Sequence, residues 1–493
     1  MATVKEAAVG SSPASSKKPE EPEKVPLYAY EKVYPRTVKG RFRSMKTVLV
    51  GVLLALYYLV PFLRWDRGPD APDQAVLIDM VGRRAYFFMI EIWPQEVYYL
   101  TGLLIMGAIG LFLATALLGR VWCGFTCPQT VWTDLFIWVE RKFEGDRNER
   151  IKLDRQPWNA NKLLRKLGKH SVWMVIALLT GGAFVLYFND AMTVIGEIVT
   201  GQAGWGVYTF LAIFTSTTYL LAGWAREQVC LYMCPWPRFQ AAMVDEHSMI
   251  VTYEEWRGEP RGFAKKDTGF EGRGHCVDCR MCVQVCPTGI DIREGSQMGC
   301  IGCGLCIDAC NSVMDRFNLP RDLIRFDSAT NQLAREQGRP VAKVKWVRPR
   351  TVAYAVLLLV VGSLMAFVLA TRDTTEVSIQ HERSPLYVQL SDGNIRNAYT
   401  YKILNMVREE RVYTLRVKNL EGATVSVIGI DSPDSPDAAI RLPVNPDTIG
   451  NFRIYVTAPP SALNGRTTDL YFELTDPDGH STLSKSLFAG PRQ

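Results

Sequence analysis

Eight cysteines in one short stretch carry the strongest chemical signal in the chain. They read Cys276-x2-Cys279-x2-Cys282-x3-Cys286-Pro287, then Cys300-x2-Cys303-x2-Cys306-x3-Cys310. Three closely spaced thiolates can wrap an iron–sulfur cube on a tight loop, while the fourth starts a helix and reaches the neighbouring cube. The spacing predicts two [4Fe–4S] clusters with crossed ligand sets. Cys276, Cys279, Cys282 and Cys310 hold the first, and Cys300, Cys303, Cys306 and Cys286 the second. Gly299, Gly302 and Gly304 leave the second loop free to turn backbone N–H groups toward sulfur. Asn311 stands where a proline commonly follows the last cysteine, and no ligand is lost by it. Zinc knuckles use paired Cys-x2-Cys units with four ligands per ion, a pattern this doublet does not follow.

The other four cysteines form two copies of one motif, 107 residues apart: Cys123-Gly-Phe-Thr-Cys127-Pro128 and Cys230-Leu-Tyr-Met-Cys234-Pro235. Each follows a long apolar run, and an arginine and a tryptophan stand close before each. The pattern is an internal repeat of span, span and motif. Parallel repeats set matching motifs side by side about an axis along the membrane normal, so the four thiols are expected to converge. Proline after the second cysteine makes Cys127 and Cys234 expected N-caps, where the helix end favours thiolate. Met233 adds a thioether, and thiolate with thioether suits Cu(I). Three readings stay open beside copper binding or reduction: reversible thiol redox, a further metal centre, and buried structural cysteines.

These groups need a scaffold, and the chain supplies a membrane one. Five runs reach the ~20 residues a bilayer crossing takes: roughly 45–63, 97–118, 171–188, 206–224 and 352–370. Lys/Arg bias orients them. Residues 119–170 carry eleven Lys/Arg and residues 189–205 none, while Lys343, Lys345, Arg348 and Arg350 crowd the entry to the fifth run. The N-terminus and the eight-cysteine segment are therefore expected in the cytosol, and residues from about 372 outside, in a bacterium the periplasm. Residues 1–44 read as a disordered tail, too polar to bury a core. The expected domains are this tail, a four-helix core at 45–240, a cytosolic segment at 241–345 with a ferredoxin-like α+β fold at about 270–315, a fifth span at 346–371, and residues 372–493.

That last part alternates in short runs, 386–390, 412–417, 424–428, 452–456 and 469–474, with Asp-Gly turns at Asp392 and Asp478. It reads as an all-β immunoglobulin-like sandwich. It lacks cysteine, so a secreted disulfide scaffold is excluded there. The five histidines show no paired spacing, and none falls inside the apolar runs as a haem ligand would. His275 reads as a surface or cluster-loop residue. Trp93, Trp122, Trp173, Trp205 and Trp224 fit an interfacial belt, and Pro128–Val139 fits an amphipathic helix lying along the cytosolic interface. No nucleotide or flavin motif is present, and nothing points to nucleic acid.

In order, Arg120-Val-Trp-Cys-Gly-Phe-Thr-Cys-Pro-Gln129, Cys230-Leu-Tyr-Met-Cys-Pro235, the eight-cysteine segment and a β domain with Asp392-Gly-Asn-Ile-Arg-Asn397 resemble the cytochrome c oxidase accessory protein family (FixG/RdxA/CcoG) over nearly the whole chain. Quinol-dehydrogenase-type membrane ferredoxins share the paired motifs but look to lack the β domain. The resemblance implies a multi-pass inner-membrane cupric reductase that supplies Cu(I) for assembly of a cbb3-type oxidase. Cys123, Cys127, Cys230 and Cys234 would be its catalytic and copper-binding residues, with Met233 as a further copper ligand. Implied partners are membrane lipid, a cytosolic ferredoxin- or flavodoxin-like donor, a copper transporter or chaperone and oxidase assembly factors; a homodimer is compatible with it. The rival expectations are a quinol-coupled electron conduit and a non-enzymatic assembly factor.

Overall fold

The structure is a computed structural model. It describes the chain except residues 1–31, 69–70, 264–269, 271, 343–344, 431–434, 436–437, 464 and 492–493. Among the described residues, five helices are long and apolar enough to cross a membrane: Arg41–Phe62, Pro94–Leu118, Ala160–Leu186, Trp205–Met233 and Pro349–Ala370. The chain divides into two compact units. One takes the residues up to Leu63, Gln74–Pro94 and Gly107–Ala355; the other takes Arg64–Asp73, Gln95–Met106 and the chain from Val356.

Two helices in the first unit differ from the hydropathy reading. The third begins at Ala160, well before the apolar run, because Asn159 caps it by accepting from the Lys162 backbone N–H at 2.8 Å. Its polar first turns are then held by carboxylates: Lys166 pairs with Asp154 at 2.6 Å and Glu144 at 2.9 Å, and Lys169 pairs with Glu144 at 2.8 Å. His170 consequently lies inside this helix, one residue before the apolar run. The fourth helix does not stop near Trp224. After Thr218 it widens into π turns at Tyr219–Ala225 and Val229–Met233, carrying the helix through Cys230. Such π segments gather at functional sites.

The expected disordered stretch of residues 1–44 needs correction at its end. Residues 1–31 lie outside the described residues. From Lys32 the chain is tied down: Arg36 N–H donates to the Gln284 carbonyl at 2.7 Å, and Tyr34 Oη to Asp154 at 2.7 Å. The first helix starts at Arg41. The expected interfacial helix runs Pro128–Glu144, and it buries Asp134, Glu140 and Glu144 against protein instead of lying on a surface. Trp173 Nε1 donates to its Phe136 carbonyl at 3.0 Å. A three-stranded antiparallel sheet (Val76–Asp79, Arg84–Phe87, Ile90–Ile92), not foreseen, follows the first span.

The cysteine-rich segment hangs on two helices, Met281–Val285 and Leu305–Arg316. A strand pair flanks it, Ile250–Tyr253 antiparallel to Ile324–Asp327. Val251, Tyr253, Ile292, Val313, Met314, Leu323 and Ile324 form its core.

The second unit contains an all-β sandwich. One sheet orders Thr424–Val427, Thr448–Ala458, Ile395–Asn405 and Thr375–His381, with Val388–Gln389 also on Ile395–Asn405. The other orders Ile440–Val444, Arg411–Lys418, Thr467–Thr475 and Ser481–Ala489. Alternate residues such as Tyr399, Tyr401, Tyr413, Leu415, Leu470 and Phe472 fill one core, as period-2 strands require. Asn397, fully buried, accepts from the Ala489 N–H at 2.9 Å and donates to its carbonyl at 2.8 Å, latching the last strand to the opposite sheet.

Candidate metal and electron-transfer site

The ferredoxin loops are built as a pseudo-symmetric pair. Gly302 and Gly304 take left-handed φ of 70° and 72° between the cysteines of the second loop. The first loop makes the same bends at Asp278 (φ 49°) and Arg280 (φ 54°) without glycine. Three of these four bends turn an N–H toward sulfur. The Gly302 N–H bonds to the Cys300 sulfur, that of Leu305 to Cys303 and that of Met281 to Cys279.

The sulfurs assemble in the crossed arrangement. Cys276, Cys279, Cys282 and Cys310 line one cavity, and Cys310 interacts electrostatically with all three of the others. Cys286 acts instead on Cys300, Cys303 and Cys306. Burial pushes the Cys279 and Cys300 thiols up, and those of Cys282 and Cys303 to about 12. Burial also holds Cys306 and Cys310 well above the ordinary thiol range. A buried sulfur set of this kind becomes thiolate only against a cation, so binding a metal centre releases protons. Four convergent sulfurs with N–H groups aimed at them fit an iron–sulfur cube. Bound there, the cubes supply one-electron chemistry.

The two membrane motifs come together. Cys230 interacts electrostatically with Cys127, Cys123 and Cys234, and Cys123 with Cys127 and Cys234. Their backbones differ. Cys127 caps the helix Pro128–Glu144 with proline at its first position, as expected. Cys234 is not an N-cap; it leaves the π turn extended, and the next helix starts at Trp236 with Pro235 as its cap. Burial pushes the Cys123 thiol up to about 11, with Cys127 adding to it, and Cys123 Sγ donates to Gln240 Oε1 at 3.3 Å. Met233 is 62% exposed.

One thiol of each motif adjoins the second ferredoxin loop. Cys123 and Cys230 pack on the cluster of Val285, Ile301, Cys303, Leu305 and Ala309. A Cβ at Gly124 would lie 2.9 Å from Cys303 Cα and from the carbonyl oxygens of Ile301 and Gly302. Only glycine permits that approach. Arg120 clamps the contact by donating to the carbonyls of Met298, Cys300 (3.0 Å) and Pro237 (2.8 Å). Burial lowers its guanidinium from the ordinary arginine value. Of these residues the sequence marked Arg120 only as context. Gly124 was visible as the small residue inside the first motif, where the second has Leu231. Gln240 gave no sequence signal.

Sulfur sets on a ferredoxin fold, combined with five membrane-length helices, define a membrane iron–sulfur protein of the electron-transport class. Three families match. They are described as a 4Fe-4S binding domain (residues 100–145), a 4Fe-4S dicluster domain (225–329) and the IG-like fold at the C-terminus of FixG (365–491). Protein RdxA of Cereibacter sphaeroides is 47% identical over 477 residues, covering 95% of this chain and 99% of the relative. Nitrogen fixation protein FixG of Rhizobium meliloti is 44% identical over 483 residues, with 92% of each chain covered. Protein RdxB of Cereibacter sphaeroides is 49% identical over 436 residues, covering 88% and 90%. A crystal structure of a FixG-related protein from Vibrio parahaemolyticus matches 24% of this chain and 96% of that one, at 25% identity and a TM-score of 0.20. The chain belongs to the FixG family.

Proposed function

We propose that this protein reduces Cu(II) to Cu(I) at Cys123, Cys127, Cys230 and Cys234, for assembly of a cbb3-type cytochrome c oxidase. The observation that carries the reading is the seating of Gly124 directly on the Ile301–Cys303 backbone. It sets a soft four-sulfur site beside a cluster-binding loop. Thiolates stabilise Cu(I) over Cu(II), so the site favours the product state of a one-electron reduction. Met233, at the rim of the second pair, offers a thioether to the departing ion. Crossed ligation assigns Cys276, Cys279, Cys282 and Cys310 to one cube and Cys286, Cys300, Cys303 and Cys306 to the other. A soluble ferredoxin- or flavodoxin-like donor would meet Cys279, an exposed cysteine of the first set. The ferredoxin side faces the cytosol in this reading and the β-sandwich the periplasm, where it would dock assembly partners.

The test is a single turnover. Full-length protein is reduced under anaerobic conditions, freed of reductant and given Cu(II), with Cu(I) trapped by a chromogenic chelator. Cu(I) should form within seconds in the native protein. It should fall to the protein-free rate when all four membrane-motif cysteines are changed to alanine, with iron content retained. Native rates in that variant would end the assignment.

A further inference from the structure

A cavity opens between the third and fourth spans. It measures about 520 Å³, within the roughly 300–1,000 Å³ of small-molecule sites. Its rim is apolar and open: Trp158, Leu163, Leu167 and Trp224 are 72%, 49%, 55% and 59% exposed. Deeper lie His170, Trp173, Arg226 and Glu227. An apolar mouth between membrane-length helices over a polar floor suits an amphiphile that arrives from the bilayer.

The floor is built for a neutral ring. Its cations are already matched: Lys166 and Lys169 by Asp154 and Glu144, Arg226 by Glu140 at 2.9 Å, and Lys32 by Asp154 at 2.7 Å. An anionic headgroup would need cations without such partners. The His170 ring stacks on Trp224 (20° between planes) and meets Trp173 edge-on (87°). His170 Nδ1 is hydrogen-bonded to Tyr219 Oη at 2.9 Å. That leaves Nε2 for a ligand. Whichever way the Tyr219 bond runs, it fixes Nε2 as acceptor or donor, so one imidazole serves both a phenol and a carbonyl oxygen.

The cavity also shares a wall with the space at Cys230. Arg226 and Glu227 line it and also line the smaller cavity that holds Cys230. Arg226 sits there with the strained φ of 34°.

We propose that this cavity takes the ring of a membrane quinol, and that the quinol is an electron donor for Cu(II) held at the four thiols. The donor role rests on the copper reading above; the binding site does not. The reaction balances as QH2 + 2 Cu(II) → Q + 2 Cu(I) + 2 H+. Both phenolic O–H bonds break and the ring becomes quinone. One electron goes to each copper ion in turn. The protons leave in succession through His170 Nε2 and pass to water on the charged side of the floor.

The experiment uses full-length protein in detergent, anaerobic, with decylubiquinol and Cu(II), each rate corrected for the protein-free reaction. Two Cu(I) should form per quinol. Trp224→Ala and the mouth-filling Leu167→Trp should each slow quinol-driven reduction at least tenfold. Single turnover of pre-reduced protein with Cu(II) should stay at the native rate in both. A photoreactive quinone should label residues of the cavity walls in native protein and not in Leu167→Trp. If pre-reduced protein makes Cu(I) but quinol does not, the donor role is wrong and the copper reading stands. If neither makes Cu(I), labelling of the cavity still supports the site, and its absence overturns it. An anionic phospholipid retained in native mass spectra and not displaced by quinone would also overturn it.

Discussion

The two Cys-x3-Cys-Pro copies share a spacing and not a backbone. The first is a tight α turn whose second cysteine caps a helix. The second is the π-wound end of a span, entered through Arg226 in a strained conformation. The first copy presses glycine onto the cluster loop; the second carries Leu231 at the same place. Spacing therefore brought four sulfurs together, while the residues between and before them gave each pair its own task. Both pairs reach the ferredoxin loop, the first through the backbone at Gly124 and the second through Cys230 and the Leu231 side chain beside Gly299.

Exchanging the distinguishing residues tests that division. Gly124→Leu, which copies the second motif into the first, should have the largest effect. Its side chain meets backbone at 2.9 Å on three atoms, so the motif must lift off the Ile301–Cys303 loop. Single-turnover Cu(I) formation should fall at least a hundredfold with iron content retained, whereas Leu231→Gly should cost under threefold. An equal effect of the two changes would remove the asymmetry.

The arginines should separate next. Arg226→Ala leaves Glu140, 1% exposed, short of one of its three cations. Breaking a buried pair costs about 3–5 kcal/mol, measurable as a fall in the thermal midpoint of the detergent-solubilised protein. Arg226, with Arg150 and Lys169, outweighs the burial of Glu140 and lowers its carboxyl to about 2. Its share of stability is thus complete above the ordinary carboxylate range and is lost as pH falls from about 4.5 toward 2. Glu140→Gln should flatten that acid limb. Arg120→Ala should instead alter the electron paramagnetic resonance of the second cluster, through the Cys300 carbonyl it holds, and leave the first unchanged.

Thiol chemistry gives a smaller, local contrast. Burial holds Cys123 at about 11 against an ordinary 9.0. In metal-free protein at pH 8 its alkylation should run about a hundredfold slower than that of a free thiol, because only thiolate reacts. Equal rates would show that the first pair is open to solvent.

The smallest effect on the site should come from the other unit. Asn397→Ala orphans the Ala489 N–H and carbonyl, and the sandwich should lose about 1–3 kcal/mol with no change in either cluster's spectrum.

Much of this was legible from spacing. The eight ferredoxin cysteines, the duplicated motif and five apolar runs each carry a period that local chemistry enforces. What spacing could not show depends on partners distant in sequence. The third helix extends back to Ala160 with Asn159 as its cap and with Asp154 and Glu144 receiving its lysines, and hydropathy averaging discards such pairs. The strand Ile395–Asn405 escaped notice because its inward positions include Asn397, polar by type and yet fully buried, its amide spent on Ala489. The Asp278 and Arg280 bends carry no glycine to mark them. The cavity beside His170 is walled in part by Gly223 and Trp224 of a π turn, which no residue pattern announced.

The central claim, that the membrane thiols pass single electrons to copper from the neighbouring cluster loop, is tested most directly by rapid-freeze electron paramagnetic resonance. Reduced full-length protein is mixed with Cu(II), and the Cu(II) and reduced-cluster signals are followed together. The account predicts that they vanish one for one in the native protein, and that both persist when Cys123, Cys127, Cys230 and Cys234 are alanine. Loss of Cu(II) signal with the cluster signals untouched, or equal loss in the four-cysteine variant, would contradict it.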